Sequence, residues 1–281
     1  MKSLLSTTFI LRLAVCGLVC LSVVTAQAAD KPRLFGRLCR PFRAERYVYV
    51  AGPQQNLITE DLSSLWTKDG TNPPRDGWVV VDGKLHRAKG AGDLISKRDY
   101  KDFILEFSWT TKEGGNSGLK YRLAQYPKTE KTDLSGWLGI EYQILDDFNN
   151  GEGKSGFGSA ASFYHIKAPN NHKSLKPHDQ VNDGKIVVRG NTIEHWLNGQ
   201  CVGRMVVGSK DWKDSVATGK FKDVLKFAEN RKGRLLVQDH GDEVTFHTLA
   251  IRELTLQPMG VGGSKKSVRT TGRRGERGCE F

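Results

Sequence analysis

The run Phe103-Ile104-Leu105-Glu106-Phe107-Ser108-Trp109 alternates with a period of two, so Phe103, Leu105, Phe107 and Trp109 share one face. Alternation of this kind buries one side of a strand and leaves the other for a different environment. The same texture recurs along the chain. Trp78 to Val81, the Asp82-Gly83 pair and Lys84 to His86 read as strand, turn, strand. Asn116 to Leu123 is a strand behind a Gly114-Gly115 turn, with Leu119, Tyr121 and Leu123 on one face and Lys120 and Arg122 on the other. Leu138 to Leu145 places Tyr142 and Ile144 on one side, Glu141 and Gln143 on the opposite side. Further strands are expected at Ala160 to Ile166, Lys185 to Arg189, Asn191 to Leu197, Gly233 to Gln238 and Val244 to Leu256, with Asn198-Gly199 as a hairpin turn. One modest helix fits within Lys213 to Glu229. No helix alternates regularly with the strands, which excludes a parallel α/β fold and points to an all-β sandwich of two antiparallel sheets.

The two ends differ from this body. Residues 1–28 carry Lys2 and Arg12, an apolar run through Leu21, Val23 and Val24, and a small-x-small pattern at Ala26-Gln27-Ala28, which reads as a signal peptide cut after Ala28. Export to the periplasm or beyond follows. Residues 29–56 read as an irregular basic leader with a short strand at Tyr47 to Val50, 57–257 as the domain, and 258–281 as a disordered basic tail. The formal charge of +12 is concentrated at the ends: +2 in the signal, +4 in residues 30–46 and +4 in the tail, leaving +2 for the body. A nucleic-acid binder needs that charge on the folded domain, so the pattern argues against one. No other stretch approaches membrane-spanning length. The three cysteines after the signal, Cys39, Cys201 and Cys279, are widely spaced and odd in number, and indicate neither a disulfide framework nor a metal site.

Seven short motifs occur in order: Gly92-Asp93-Leu94-Ile95-Ser96, Tyr100-Lys101-Asp102-Phe103, Asn116-Ser117-Gly118-Leu119, Tyr121-Arg122, Glu141 to Asp146, His195 to Gly199, and Gln238-Asp239-His240-Gly241. Together they make residues 57–256 resemble the 3-keto-disaccharide hydrolase domain family. The resemblance implies a concanavalin A-like jelly roll and cleavage of glycosides whose sugar is oxidised to a 3-keto form. The chain departs from the family pattern at Phe246-His247-Thr248, where the family has Phe-Arg-Asn, and at Val181-Asn182, where it has Trp-Asn.

Glu141 is the leading candidate for proton transfer, since a carboxylate raised inside a cleft moves protons near neutral pH. Its alternative is an ion pair with Lys120 or Arg122. Gln143, on the same face, offers an amide to sugar hydroxyls, and Asn116 either orients a ligand or caps its turn. Arg122 supplies a fork of donors for a developing oxyanion. Lys97 is a candidate to project into the cleft, and Asp146 to contact substrate. His240 is a candidate base; it shares a face with Gln238, a binding candidate, and not with Asp239. Trp196 and Trp137 are core aromatics or sugar platforms, and Trp196 is retained as a binding candidate. His165 and His195 read as satisfied structural groups. No metal-binding signature appears and no cofactor is required, though a divalent ion held by Asp146, Glu141 and His240 stays open.

The resemblance makes a carbohydrate the expected substrate. A C3 carbonyl acidifies the C2 proton. Glu141 or His240 would remove it as the glycosidic oxygen leaves C1, with Arg122, Lys97 or a metal ion holding the enolate charge, and water would complete hydrolysis. Direct acid/base hydrolysis needs two carboxylates across the bond, and Glu141 and Asp146 lie on opposite strand faces. A noncatalytic carbohydrate-binding module and an envelope interaction domain are the alternatives.

Overall fold

The computed structural model describes residues 47–259, apart from 75–76 and 88–89. Its strands are β1 (Tyr47–Asn56), β2 (Trp66–Thr67), β3 (Trp78–Val81), β4 (Lys84–Arg87), β5 (Leu94–Ser96), β6 (Phe103–Thr111), β7 (Asn116–Tyr126), β8 (Gly136–Leu145), β9 (Asn182–Arg189), β10 (Thr192–Leu197), β11 (Gln200–Val206), β12 (Arg234–Val237) and β13 (Val244–Pro258); the helix α1 spans Lys210–Thr218. An eight-stranded sheet runs β11-β10-β9-β6-β13-β4-β3, with β1 also paired to β13, and a five-stranded sheet runs β2-β5-β12-β7-β8. Every strand pair is antiparallel. This is the concanavalin A-like sandwich of two antiparallel sheets expected from the motifs.

The alternating residues do what their period requires. Phe103, Leu105, Phe107 and Trp109 of β6 meet Leu119, Tyr121, Ile140, Tyr142 and Ile144 of β7 and β8 in one buried core. Burying each such side chain contributes about 1.5–3 kcal/mol. The Phe107 and Tyr142 rings pack edge to face at 5.0 Å, and Gly184 of β9 is bare where the Phe107 ring lies against it. Two polar ties cross the core. The Tyr142 hydroxyl donates to the Trp196 carbonyl at 3.0 Å. The Tyr121 hydroxyl lies 2.8 Å from His195 Nε2, while His195 Nδ1 lies 3.1 Å from the Ala161 carbonyl. His195 is fully buried and stacked on Phe163 at 3.8 Å; burial drops its pKa to about 3, so it is a neutral structural group.

Local expectations shift in four places. The end of the expected leader is not irregular: β1 is a ten-residue strand that pairs with β13 from Tyr47↔Pro258 to Asn56↔Ala250. Residues 160–166 form no regular strand; they turn back on β8 through the isolated bridge Tyr142↔Phe163 and on their own chain through Phe163↔Lys167. The helix begins earlier than expected, where Ser209 caps it by accepting from the Trp212 N–H at 3.2 Å. Cys201 is disulfide-bonded, which cysteine spacing did not indicate.

Candidate functional site

Lys120 of β7 lies directly opposite Glu141 of β8, and Gly118 opposite Gln143. Leu119 and Tyr142 fill the core, so this row points away from it, onto the outer face of the five-stranded sheet. Both faces of β8 are nonetheless buried: Glu141 is only 4% exposed and Gln143 2%. Lys120 Nζ stands 3.6 Å from Glu141 Oε2. Gln238 follows β12 and, with its amide turned to satisfy both ends, donates to Glu141 Oε1 and accepts from Lys120 Nζ, each at 3.3 Å. Gly118 makes this packing feasible, because a Cβ there would overlap the Glu141 carboxylate. Gln143 Nε2 donates to Asn116 Oδ1 at 3.2 Å, extending the polar row.

Burial pushes the Glu141 carboxyl above its ordinary value; Lys120 and Lys220 pull it down, and Asp93 adds to the rise. Asp93 precedes β5 and accepts from the Asp239 N–H at 2.9 Å. Its carboxyl is also raised, chiefly by burial, against the pull of that hydrogen bond and of Lys120. Two desolvated carboxyls therefore feel the charge of one ammonium, and a carboxyl raised by burial is suited to accept and return a proton. Tyr164 completes the surroundings. Its N–H donates to the Glu141 carbonyl at 3.1 Å, and its ring is half-buried.

Asn116, Gln143, Gln238 and Glu141 therefore come together. His240 sits exposed near the rim, its Nδ1 3.8 Å from Asp242 Oδ2, while that same oxygen accepts the Asn116 N–H at 3.1 Å. Its positive charge, when present, favours ionised Asp93.

Four other candidates lie elsewhere. Arg122 does not share a face with Lys120. A bulge between Tyr121 and Ala124, with Arg122 at φ +51°, changes the parity of β7. Its guanidinium turns to the β9–β10 turn and the segment between α1 and β12, where Nη2 donates to the Gly190 carbonyl at 2.5 Å and Nη1 to the Ala228 carbonyl at 3.4 Å. Burial lowers its pKa. Trp196 packs with Ile104, Val187 and Leu254 on the outer face of the eight-stranded sheet, with Lys185 Nζ 4.2 Å from its ring centroid. Asp146 is fully engaged in the loop after β8, accepting from Gly114, Phe148 and Asn149. Burial raises its pKa, but those hydrogen bonds outweigh it and hold the carboxyl low. Lys97 is exposed at the end of β5. Asp146, Glu141 and His240 thus do not converge, and no group of three or more His, Cys, Asp or Glu among the described residues is placed to hold a metal ion. Asp239 braces the site from outside, accepting from Arg87 Nε at 2.6 Å and the Gly92 N–H at 2.5 Å.

The departure at Phe246-His247-Thr248 falls on β13 in the other sheet. Phe246 is core, His247 Nε2 lies 3.1 Å from the Thr110 hydroxyl, and the Thr248 and Ser108 hydroxyls lie 2.8 Å apart. None of these bonds reaches the Glu141 row. From residue type and period alone Lys120 is only an ion-pair partner, and Asp93 and Tyr164 have no role. Aligning the Asn116 and Glu141 strands antiparallel carries the signal for Lys120.

A two-sheet concanavalin A-like sandwich with a desolvated carboxylate on the outward side of one sheet defines the class. The chain belongs to the 3-keto-alpha-glucoside-1,2-lyase-like domain family, which matches residues 55–252. A 3-keto-disaccharide hydrolase of Bacteroides thetaiotaomicron is 31% identical over 217 residues, covering 67% of this chain and 74% of the relative. A crystal structure of a candidate glycosyl hydrolase from Parabacteroides distasonis aligns with TM-score 0.60 and 26% identity over 72% of this chain and 94% of that one. A second from the same organism, at TM-score 0.52 and 22% identity over 74% of this chain and all of that one, shares the fold.

Proposed function

We propose that the chain is a carbohydrate-active enzyme that cleaves 3-keto-glycosides, 3-keto-disaccharides among them, by elimination across C1 and C2 followed by hydration. The carrying observation is the Glu141 carboxylate, buried beside Lys120 and Gln238 with its pKa raised. Glu141 is the base that takes the C2 proton. Lys120 replaces Arg122 as the cation facing the enolate oxygen at C3, worth most in a site that excludes water. Gln143, Asn116 and Gln238 orient the sugar hydroxyls. Family membership and the 3-keto-disaccharide hydrolase relative support the substrate class.

The route is tested with substrate deuterated at C2: loss of the label to solvent is expected, and full retention in the product rules elimination out. Export is the accompanying expectation. Among the described residues no helix is long and apolar enough to cross a membrane. Amino-terminal sequencing of the mature protein should begin at Ala29; retention of Met1 or Lys2 would overturn the cleavage.

A further inference from the structure

Deprotonation at C2 leaves a second demand, because the glycosidic oxygen departs with a pair of electrons and needs a proton. C1 and C3 lie on opposite sides of C2. Glu141 is likewise flanked on two sides: Lys120 pairs with it from β7, and Tyr164 from the returning segment beyond β8. The Tyr142↔Phe163 bridge fixes that segment antiparallel, so Tyr164 is the cross-strand neighbour of Glu141 and shares its face. Lys120 and Tyr164 are thus two strand spacings apart, roughly 10 Å at the backbone, with the base between them.

Tyr164 is held in place on several sides. Its ring meets His165 edge to face at 4.4 Å, and Lys220 Nζ stands 4.9 Å from its centroid. Gly219 is bare where a Cβ would come within 2.5 Å of the His165 carbonyl, so the end of α1 brings Lys220 tightly onto this turn. His165 itself adopts φ +54°. The phenol has no hydrogen-bond partner among the described residues and is half-exposed. Burial, with help from Glu152 and Glu141, raises its pKa to about 12, so it carries its proton at neutral pH.

We infer that Tyr164 is the acid that protonates the departing glycosidic oxygen, with Lys220 and His165 as its positioning residues. The inference rests on the reading of Glu141 as the C2 base. Glu141 takes the C2 proton, the C2–H electron pair forms the C1=C2 bond, the C1–O bond breaks, and the leaving oxygen takes the phenolic proton. The proton on Glu141 exchanges with solvent; water then adds its hydroxide to C1, Glu141 delivers a solvent-derived proton to C2, and the remaining water proton restores the phenol.

The test is Tyr164→Phe on two substrates, a 3-keto-disaccharide and p-nitrophenyl 3-keto-α-glucoside, whose leaving group departs as a stable anion. Expected is a loss of about 100-fold or more in kcat/KM on the disaccharide, in the range of acid catalysis, and less than about 10-fold on the nitrophenyl substrate. Equal losses on both, or none, overturn the role of Tyr164. Glu141→Gln run alongside separates the two claims: it should lower turnover of both substrates by about 10²- to 10⁴-fold. If it does not, or if the wild type turns over neither, the C2-base reading fails and Tyr164 with it. Thermal unfolding of Tyr164→Phe should match wild type; a collapse of fold would be read on Lys220→Met, which should show the same leaving-group split in weaker form, and its absence there overturns the assignment.

Discussion

At the scale of single residues, Glu141 works against stability. Its folded pKa is raised, so the folded state binds the proton more tightly than the unfolded chain. Stability is then full below the unfolded value of about 4.3 and falls as pH rises through the folded pKa. Glu141→Gln should therefore unfold at a higher temperature than wild type at neutral pH, with the gap closing toward pH 4, while kcat drops by about 10²- to 10⁴-fold. A lower melting temperature at every pH would contradict the assigned shift. Arg122 makes the opposite prediction. Its guanidinium reaches the Gly190 and Ala228 carbonyls across the sandwich, so Arg122→Ala should cost about 2–4 kcal/mol of stability. Turnover by the protein that remains folded should be near normal; a pure kcat defect at full stability would return Arg122 to the chemistry. The identity of Glu141, Gln143 and Asn116 as a group was legible from residue type and period. The place of Arg122 was not, because nothing in Tyr121-Arg122-Leu123 announces an extra residue in the ladder.

At the scale of elements, that bulge is the controlling device. Before it, the even-numbered Asn116, Gly118 and Lys120 face outward; after it, the odd-numbered Leu123 and Gln125 do, opposite Trp137. The outer face is thereby divided into a polar half around Glu141 and an apolar half of Ile95, Leu123 and Leu236 under Trp137. Gly139 sits across from the bulge, where a Cβ would lie 2.5 Å from the Tyr121 carbonyl oxygen and 3.1 Å from Leu123 Cα. That neighbour is backbone and cannot swing aside, so Gly139→Ala should cost about 1–3 kcal/mol, read by chemical denaturation. Gly118→Ala presses instead on the movable end of Glu141. It should lose on the order of 10- to 100-fold in turnover with a melting temperature close to wild type. Strand positions were readable from alternation. The segment after residue 159 was not, because its pairing with β8 passes through turns at Ala161 and His165, both with positive φ, which break any two-residue period.

At the scale of the whole molecule, sequence patterning called for two antiparallel sheets but read only Tyr47 to Val50 of β1 as a strand. Tyr47 to Asn56 is mostly exposed and lacks a clean apolar face, so only its partner reveals its full length. A chain started at Leu57 should melt more than about 5 °C below one started at Glu45 and should self-associate through the uncovered border of β13. Equal melting temperatures would restore the boundary at 57. The pairing of β1 with β13 has a kinetic consequence. Among the described residues, β1 is the first strand to be synthesised, and it waits for β13, some two hundred residues behind it, to take its place in the larger sheet. Closure that depends on such distant segments is slow. A polypeptide that emerges amino end first therefore leaves β1 without its partner until β13 has followed it out.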